Sequence, residues 1–316
     1  MAAAAVADRE KADSLQSYYD EHGYVVVRKL VPEERIAKLL GVYQQYIVPS
    51  RQRFFRQNSS RYERNQLNEY GYVRQSFLDI HDYQRFPEFS AAARDIFCGK
   101  EMMEAVSAVT GAPHHNLMQT MLFDLNTATW PHQDWYYLDS VPNGSLIAAW
   151  IALEDIKEEA GRFYVMPGSH QIGDFGAREP GVTLERWIKR VGDFVQQHRP
   201  SQFAPALRRG DVLLWNSRTV HGSLPTRDEK YSRKSLTAHY IPSHLGFGNL
   251  FASRPWVDKH YKEYAGVRFY RNQPEYSLLN HVIYAVKTGV YNYPMVREIL
   301  RKLRDLNRSR AAQRSA

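Results

Sequence analysis

His132-Gln133-Asp134 and, far downstream, His221-Gly222-Ser223 are the residues of this chain best suited to binding a redox metal. Two imidazoles and one carboxylate can fill one face of an octahedral ion, leaving three positions for a chelating cosubstrate and oxygen. Non-haem iron(II) chemistry uses that arrangement. Residues two apart in an extended segment point to the same side, so His132 and Asp134 can reach one ion. A neighbouring strand must then deliver His221. An H-x-D tripeptide alone is common, and a lone histidine is usually a hydrogen-bonded surface or core residue. The reading therefore depends on the scaffold.

The scaffold pattern is mainly β with helical additions. Short β-like runs occupy 117–125, 146–153, 162–166, 212–215 and 235–241. They are punctuated by Asn143-Gly144, Ala160-Gly161, Pro167-Gly168 and Arg209-Gly210-Asp211. Such spacing predicts a sandwich or barrel. Ahead of it, a helix is expected over 8–20, with Leu15, Tyr18 and Tyr19 on one face, then Gly23 and a strand over 24–28. Pro32 opens a second helix, with Ile36, Leu39, Leu40, Tyr43 and Ile47 spaced for one apolar face, and Pro49 ends it. Residues 51–70 show no period and read as a long mobile loop. Helices follow at 87–97 and 100–109, at 184–198 as an insertion, and at 276–286 and 294–307. No repeat or heptad array appears. The expected organisation is one catalytic domain over 1–316: a helical and strand flank at 8–112, a core at 113–242, and a helical extension at 243–316.

Composition narrows the classes. A single cysteine, Cys98, excludes an intramolecular disulfide framework and suits a reducing compartment. Its setting, Ile96-Phe97-Cys98-Gly99, reads as a buried helix end rather than a catalytic thiol. The first residues lack the basic and long apolar regions of a secretory signal, and no apolar run reaches the ~20 residues that span a bilayer. The expected location is cytoplasmic. The net charge of +8 is concentrated in two places. Arg51, Arg53, Arg56, Arg61, Arg64 and Arg74 crowd one segment, and a basic tail follows Pro294. Solvated surface is the bland reading; an anionic substrate or acidic membrane is the sharper one.

Six segments together resemble the phytanoyl-CoA dioxygenase family of iron(II)/2-oxoglutarate oxygenases. They are the 20–27 run ending Gly23-Tyr24-Val25-Val26-Val27, Trp130-Pro131-His132-Gln133-Asp134-Trp135, the 150–155 run, Val165-Met166-Pro167-Gly168-Ser169-His170, the 209–215 run, and His221-Gly222-Ser223. They keep the family's order over roughly 14–242. The resemblance implies a double-stranded β-helix, or jelly roll, with His132, Asp134 and His221 as iron ligands. It implies that Arg233 binds the far carboxylate of 2-oxoglutarate, a group that a guanidinium matches with two parallel bonds. Ser223 and Gln119 would join Arg233 at the cosubstrate. If Arg233 points inward, so do Ser235, Thr237 and His239, while Lys234, the alternative arginine substitute, faces away. His170 reads as a structural turn residue. Halogenases of this type replace the carboxylate ligand with a small residue; Asp134 is intact, which implies oxygenation.

The implied reaction consumes oxygen and 2-oxoglutarate, releases succinate and carbon dioxide, and hydroxylates an unactivated C–H group. Desaturation, epimerisation and ring formation share its first step. Trp135, Tyr137 and His239 are the candidates for touching a small-molecule substrate, with ordinary barrel packing the alternative. The arginine-rich 51–74 segment is expected to act as a lid over an anionic or carrier-linked substrate. In the tail, Met295, Val296, Ile299, Leu300, Leu303 and Leu306 form an apolar stripe. That stripe suits docking on the protein's own body or a second subunit, with peripheral membrane contact as the alternative. A binding protein that has lost turnover is the rival class, and the intact ligand set speaks against it. No nucleic-acid-reading motif is present, so no nucleic-acid partner is expected.

Overall fold

The structure, a computed structural model, describes residues 12–256 and 260–292. The helix expected over 294–307 lies outside them.

The chain opens with α1 (Ala12–His22), which stops at Gly23. Gly23 has φ +77°, and a Cβ there would sit 2.4 Å from His170 Nδ1 and 2.5 Å from Thr219 Oγ1. Only glycine allows that reversal and that approach. β1 (Tyr24–Val27) and α2 (Glu33–Val42) follow, α2 running on as a π-helical turn over Tyr43–Ile47. Next come β2 (Phe54–Arg56), β3 (Arg61–Glu63), β4 (Phe77–Leu78), α3 (Pro87–Phe97) and α4 (Lys100–Thr110). Cys98 caps α3, and burial pushes its thiol up to about 12, so it is an inert packing group.

The barrel strands are β5 (His115–Phe123), β6 (Asp139–Val141), β7 (Ile147–Ala152) and β8 (Phe163–Val165). After the inserted helix α5 (Leu184–Gln197) come β9 (Val212–Asn216), β10 (His221–Ser223), β11 (Ser235–Pro242) and β12 (Gly246–Gly248). A hairpin of β13 (Lys262–Tyr264) and β14 (Val267–Phe269) and a helix α6 (Leu278–Asn292) complete the described residues.

The main sheet runs β1-β9-β7-β11-β5-β14-β13, with β4 also on β5; β8 pairs β10 and β6 pairs β12 in smaller sheets. Antiparallel strands facing one another across an interior give the jelly roll. Period-two alternation splits the main sheet between two cores. Val25, Val27, Ile147, Ala149, Ile151, Val212, Leu214, Leu236 and Ala238 pack under the helices. Val26, Ala148, Trp150, Leu213 and Trp215 face the barrel interior. Both faces of β7 are therefore dry, which is why Ile-Ala-Ala-Trp-Ile-Ala carries no polar residue.

Two expectations are corrected. Residues 51–70 are not a structureless loop: β2 and β3 form a hairpin with Phe54, Arg56 and Tyr62 buried. Three-residue strands are too short to show a period. Nor is the region beyond 243 purely helical, because β12, β13 and β14 extend the sheets. The β13–β14 turn at Ala265-Gly266 has φ of +51° and +78°, the signature of a tight hairpin.

Candidate active site

His132 and His221 meet through their backbones. Each donates its N–H to the other's carbonyl, both at 3.0 Å, in an isolated antiparallel bridge, and their rings lie 4.3 Å apart. β10 thus delivers the distal imidazole by register. One ligand atom from each of His132, Asp134 and His221 lies within 4.8 Å of the others. Asp134 Oδ1 sits 3.5 Å from His132 Nε2 and 3.4 Å from His221 Nε2.

The protonation pattern suits a metal. His132 Nδ1 lies 2.8 Å from the Trp130 carbonyl, and His221 Nδ1 lies 2.9 Å from that of Thr219. A carbonyl only accepts, so both rings carry their proton on Nδ1 and turn the Nε2 lone pairs inward. Burial, followed by the neighbouring His221, lowers the pKa of His132 and keeps it neutral. Burial alone would raise the Asp134 carboxyl; positive charge among the imidazoles, that of His221 first, holds it well below the usual carboxylate range, and a divalent cation would supply that charge in place of ring protons. Two neutral imidazoles and one carboxylate are the donor set that iron(II) takes.

These groups line a cavity of about 440 Å³, and Arg233 lines it too. Arg233 is 2% exposed and donates to Ser223 Oγ at 2.8 Å and to the Gly161 carbonyl at 3.1 Å. No carboxylate pairs with it among the described residues, and burial draws its pKa down to about 9. A buried cation without a counterion calls for an anionic ligand. On β11, Thr237 and His239 share its cavity side, and Lys234 faces away, its N–H on Glu154 and its ammonium over the Tyr72 ring. Gln119 stands opposite His239 in the β5–β11 register and also lines the cavity.

Among the substrate candidates, Tyr137 and His239 line the cavity and Trp135 does not. From Asp134 the backbone coils as a 3-10 turn, which rotates successive side chains by about 120° instead of alternating them. Trp135 therefore packs outward: its indole N–H meets Gln133 Oε1 at 2.9 Å, and the Arg218 guanidinium lies 4.6 Å over its ring. The basic segment also differs from expectation, since none of its arginines lines the cavity. Arg56 is buried over Phe77 and donates to Asn65 and Ser76, Arg53 donates to Tyr62, and Arg74 pairs with Glu229. The β2–β3 tip instead offers Gln57, Asn58 and Ser60. His170 is structural, its Nε2 3.0 Å from the Asp20 carbonyl.

Two functional neighbours carried no signal as single residues. Trp215 donates its indole N–H to Asp134 Oδ2 at 2.9 Å. Gln133, fully buried between His132 and Asp134, donates to the Gly173 and Arg218 carbonyls and braces the loop that carries both.

One cavity thus joins a His-Asp-His cluster able to hold a divalent ion and a buried guanidinium able to take a carboxylate. This is an enzyme of the iron(II)/2-oxoglutarate oxygenase class. Residues 19–235 match the family Phytanoyl-CoA dioxygenase (PhyH), and the chain belongs to that family. The peroxisomal phytanoyl-CoA dioxygenase of Homo sapiens is 23% identical over 237 residues, covering 71% of this chain and 67% of that protein. The 1-deoxypentalenic acid 11-beta-hydroxylase of Streptomyces arenae is 26% identical over 271 residues, covering 79% and 87%. Among solved structures, the epimerase SnoN in complex with Fe3+, alpha ketoglutarate and nogalamycin RO aligns with a TM-score of 0.56 at 18% identity. That alignment covers 78% of this chain and 89% of SnoN, a likeness of fold. No helix among the described residues is long and apolar enough to cross a membrane.

Proposed function

We propose that this oxygenase hydroxylates an unactivated C–H group of a small molecule. The observation that carries the reading is one cavity lined by His132, Asp134 and His221 together with an Arg233 that no carboxylate pairs. Bound there, iron(II) and 2-oxoglutarate supply, with oxygen, an oxidant strong enough to take that hydrogen, and succinate and carbon dioxide are the by-products. The protein's part is to hold and orient.

The Trp130 and Thr219 carbonyls keep the ring protons of His132 and His221 on Nδ1, which leaves their Nε2 atoms for the ion. Asp134 contributes Oδ1, its outer oxygen being occupied by Trp215. Arg233 and Ser223 grip the far carboxylate of the cosubstrate, and Gln119 reaches it from β5. Tyr137 and His239 face the substrate. Trp150, Phe163 and Trp215 wall the interior and keep bulk water from the reacting groups.

Likeness to a hydroxylase over most of both chains supports oxygen insertion above epimerisation or ring formation. The test is anaerobic reconstitution with iron(II) and 2-oxoglutarate, then exposure to labelled oxygen gas with candidate metabolites. Hydroxylation puts one labelled atom into succinate and one into product. Label in succinate alone, with an altered substrate, would overturn hydroxylation and leave the oxygenase class standing. Wild-type iron binding no tighter than that of Asp134→Ala would overturn the site itself.

A further inference from the structure

Imidazoles aside, the charged side chains that line the cavity are Asp134 and Arg233. Both are taken, on the reading above, by the metal and the cosubstrate. The remaining wall carries no formal charge. Trp130, Tyr137, Leu138 and Met121 give it an apolar and aromatic surface. Gln57, Asn58, Ser60, Thr127 and Thr129 supply neutral donors and acceptors around it. The arginines of the preceding segment are turned elsewhere. Those nearest the tip serve a different surface: Arg61, with Lys287, lines an outer groove that shares only Asn58 and Ser60 with the cavity.

We propose that the part of the substrate held in this cavity is uncharged and ring-bearing, with hydroxyl or carbonyl groups at its edge. An ionised group drawn in here would lose its water and meet no free counter-charge, a penalty that neutral hydrogen-bonding groups escape. Trp130 stands at the mouth with 53% of its surface exposed. A large flat side chain left half in water at the rim of a pocket offers a face on which a ring can stack. The assignment rests on the proposed oxygenase reading and deepens it by naming the substrate's charge class. It replaces the anionic substrate that the arginine-rich stretch alone suggests.

The test uses full-length protein loaded with cobalt(II) and 2-oxoglutarate, and matched small rings. Cyclohexylmethanol is set against cyclohexanecarboxylate and cyclohexylmethylamine, and indan-2-ol against its carboxylate and amine analogues. Paramagnetic broadening of each compound's NMR lines reports binding beside the metal. The alcohols should bind at least about tenfold more tightly than either charged partner. Asn58→Lys, at an exposed tip position, should recruit the carboxylates. Carboxylates equal to alcohols in the wild type, alcohols left sharp at millimolar concentration, or an Asn58→Lys variant with unchanged preference would each overturn the proposal. The cobalt spectrum is recorded first. If 2-oxoglutarate leaves it unchanged, the cosubstrate reading fails; if the spectrum responds and the panel is unselective, only the substrate assignment fails.

Discussion

The indole N–H of Trp215 points at Asp134 Oδ2 from 2.9 Å, while Oδ1 faces the two histidines. On the proposed metal reading, one carboxylate oxygen is thereby held by the protein and the other left for the ion. An octahedral ion with three protein donors keeps three positions open; a carboxylate that swung to bind through both oxygens would leave two. Trp215→Phe preserves the ring and removes the donor. Loss of such an outer partner typically costs about 10–100-fold in metal affinity or activity. Cobalt(II) titration with and without 2-oxoglutarate should show the larger loss in the cosubstrate step, and Trp215→His, which retains an N–H, should recover part of it. Equal affinities in wild type and Trp215→Phe would remove this role.

Arg233→Ala should weaken 2-oxoglutarate and spare the metal. Hydrogen bonds to a charged group are worth about 1.5–3 kcal/mol, so the cosubstrate dissociation constant should rise roughly ten- to a hundredfold. Arg233→Lys keeps the charge and loses the fork, and should fall between. Calorimetry on the cobalt form separates the two constants, and an unchanged cosubstrate affinity in Arg233→Ala would contradict the assignment.

Gly23 ties α1 to the strand leading toward His221: its carbonyl accepts from Asn216 N–H and from the Thr219 hydroxyl. Gly23→Ala must hold a left-handed backbone and displace His170. Backbone strain alone costs about 1–3 kcal/mol. Thermal denaturation should show a melting point several degrees lower, with the residual folded protein still binding metal. A variant as stable as wild type would mean that His170 moves aside freely.

His81, fully buried between Thr120 and the Tyr270 carbonyl, is driven by burial from 6.5 down to about 4. Between those values the unfolded chain binds a proton that the folded one refuses, so this group removes stability as pH falls from 6.5 toward 4. The slope is up to about 1.4 kcal/mol per pH unit for one proton. Burial raises Asp79 and Asp139 to about 6, which has the opposite effect in part of this window, but both are present in either protein. Urea unfolding at pH 7 and pH 5 should therefore show a smaller acid-side loss for His81→Gln than for wild type. Parallel losses would show that His81 titrates normally.

The candidate triad was legible because its members sit in words whose order survives along the chain, and Thr237 and His239 because they follow Arg233 at period two; Ser235, expected with them, does not line the cavity. Legibility ended where local geometry broke the period. Trp135 follows a metal-site aspartate in sequence, yet a 3-10 turn aims it outward. The arginines of 51–74 suggested an anion site by composition, but composition records charge and not direction; Arg56 is buried on Phe77 and Arg74 is paired on the surface. Trp215 looked like one more apolar residue at a strand end, since a contact across 81 positions leaves no trace in spacing.

The reciprocal backbone bridge between His132 and His221 has a last consequence. The two imidazoles are spaced by main chain alone, so on the proposed metal reading capture of an ion needs little reorganisation of the loops. Stripping the iron with a chelator should then leave the barrel upright and quick to reload, a socket rather than a keystone.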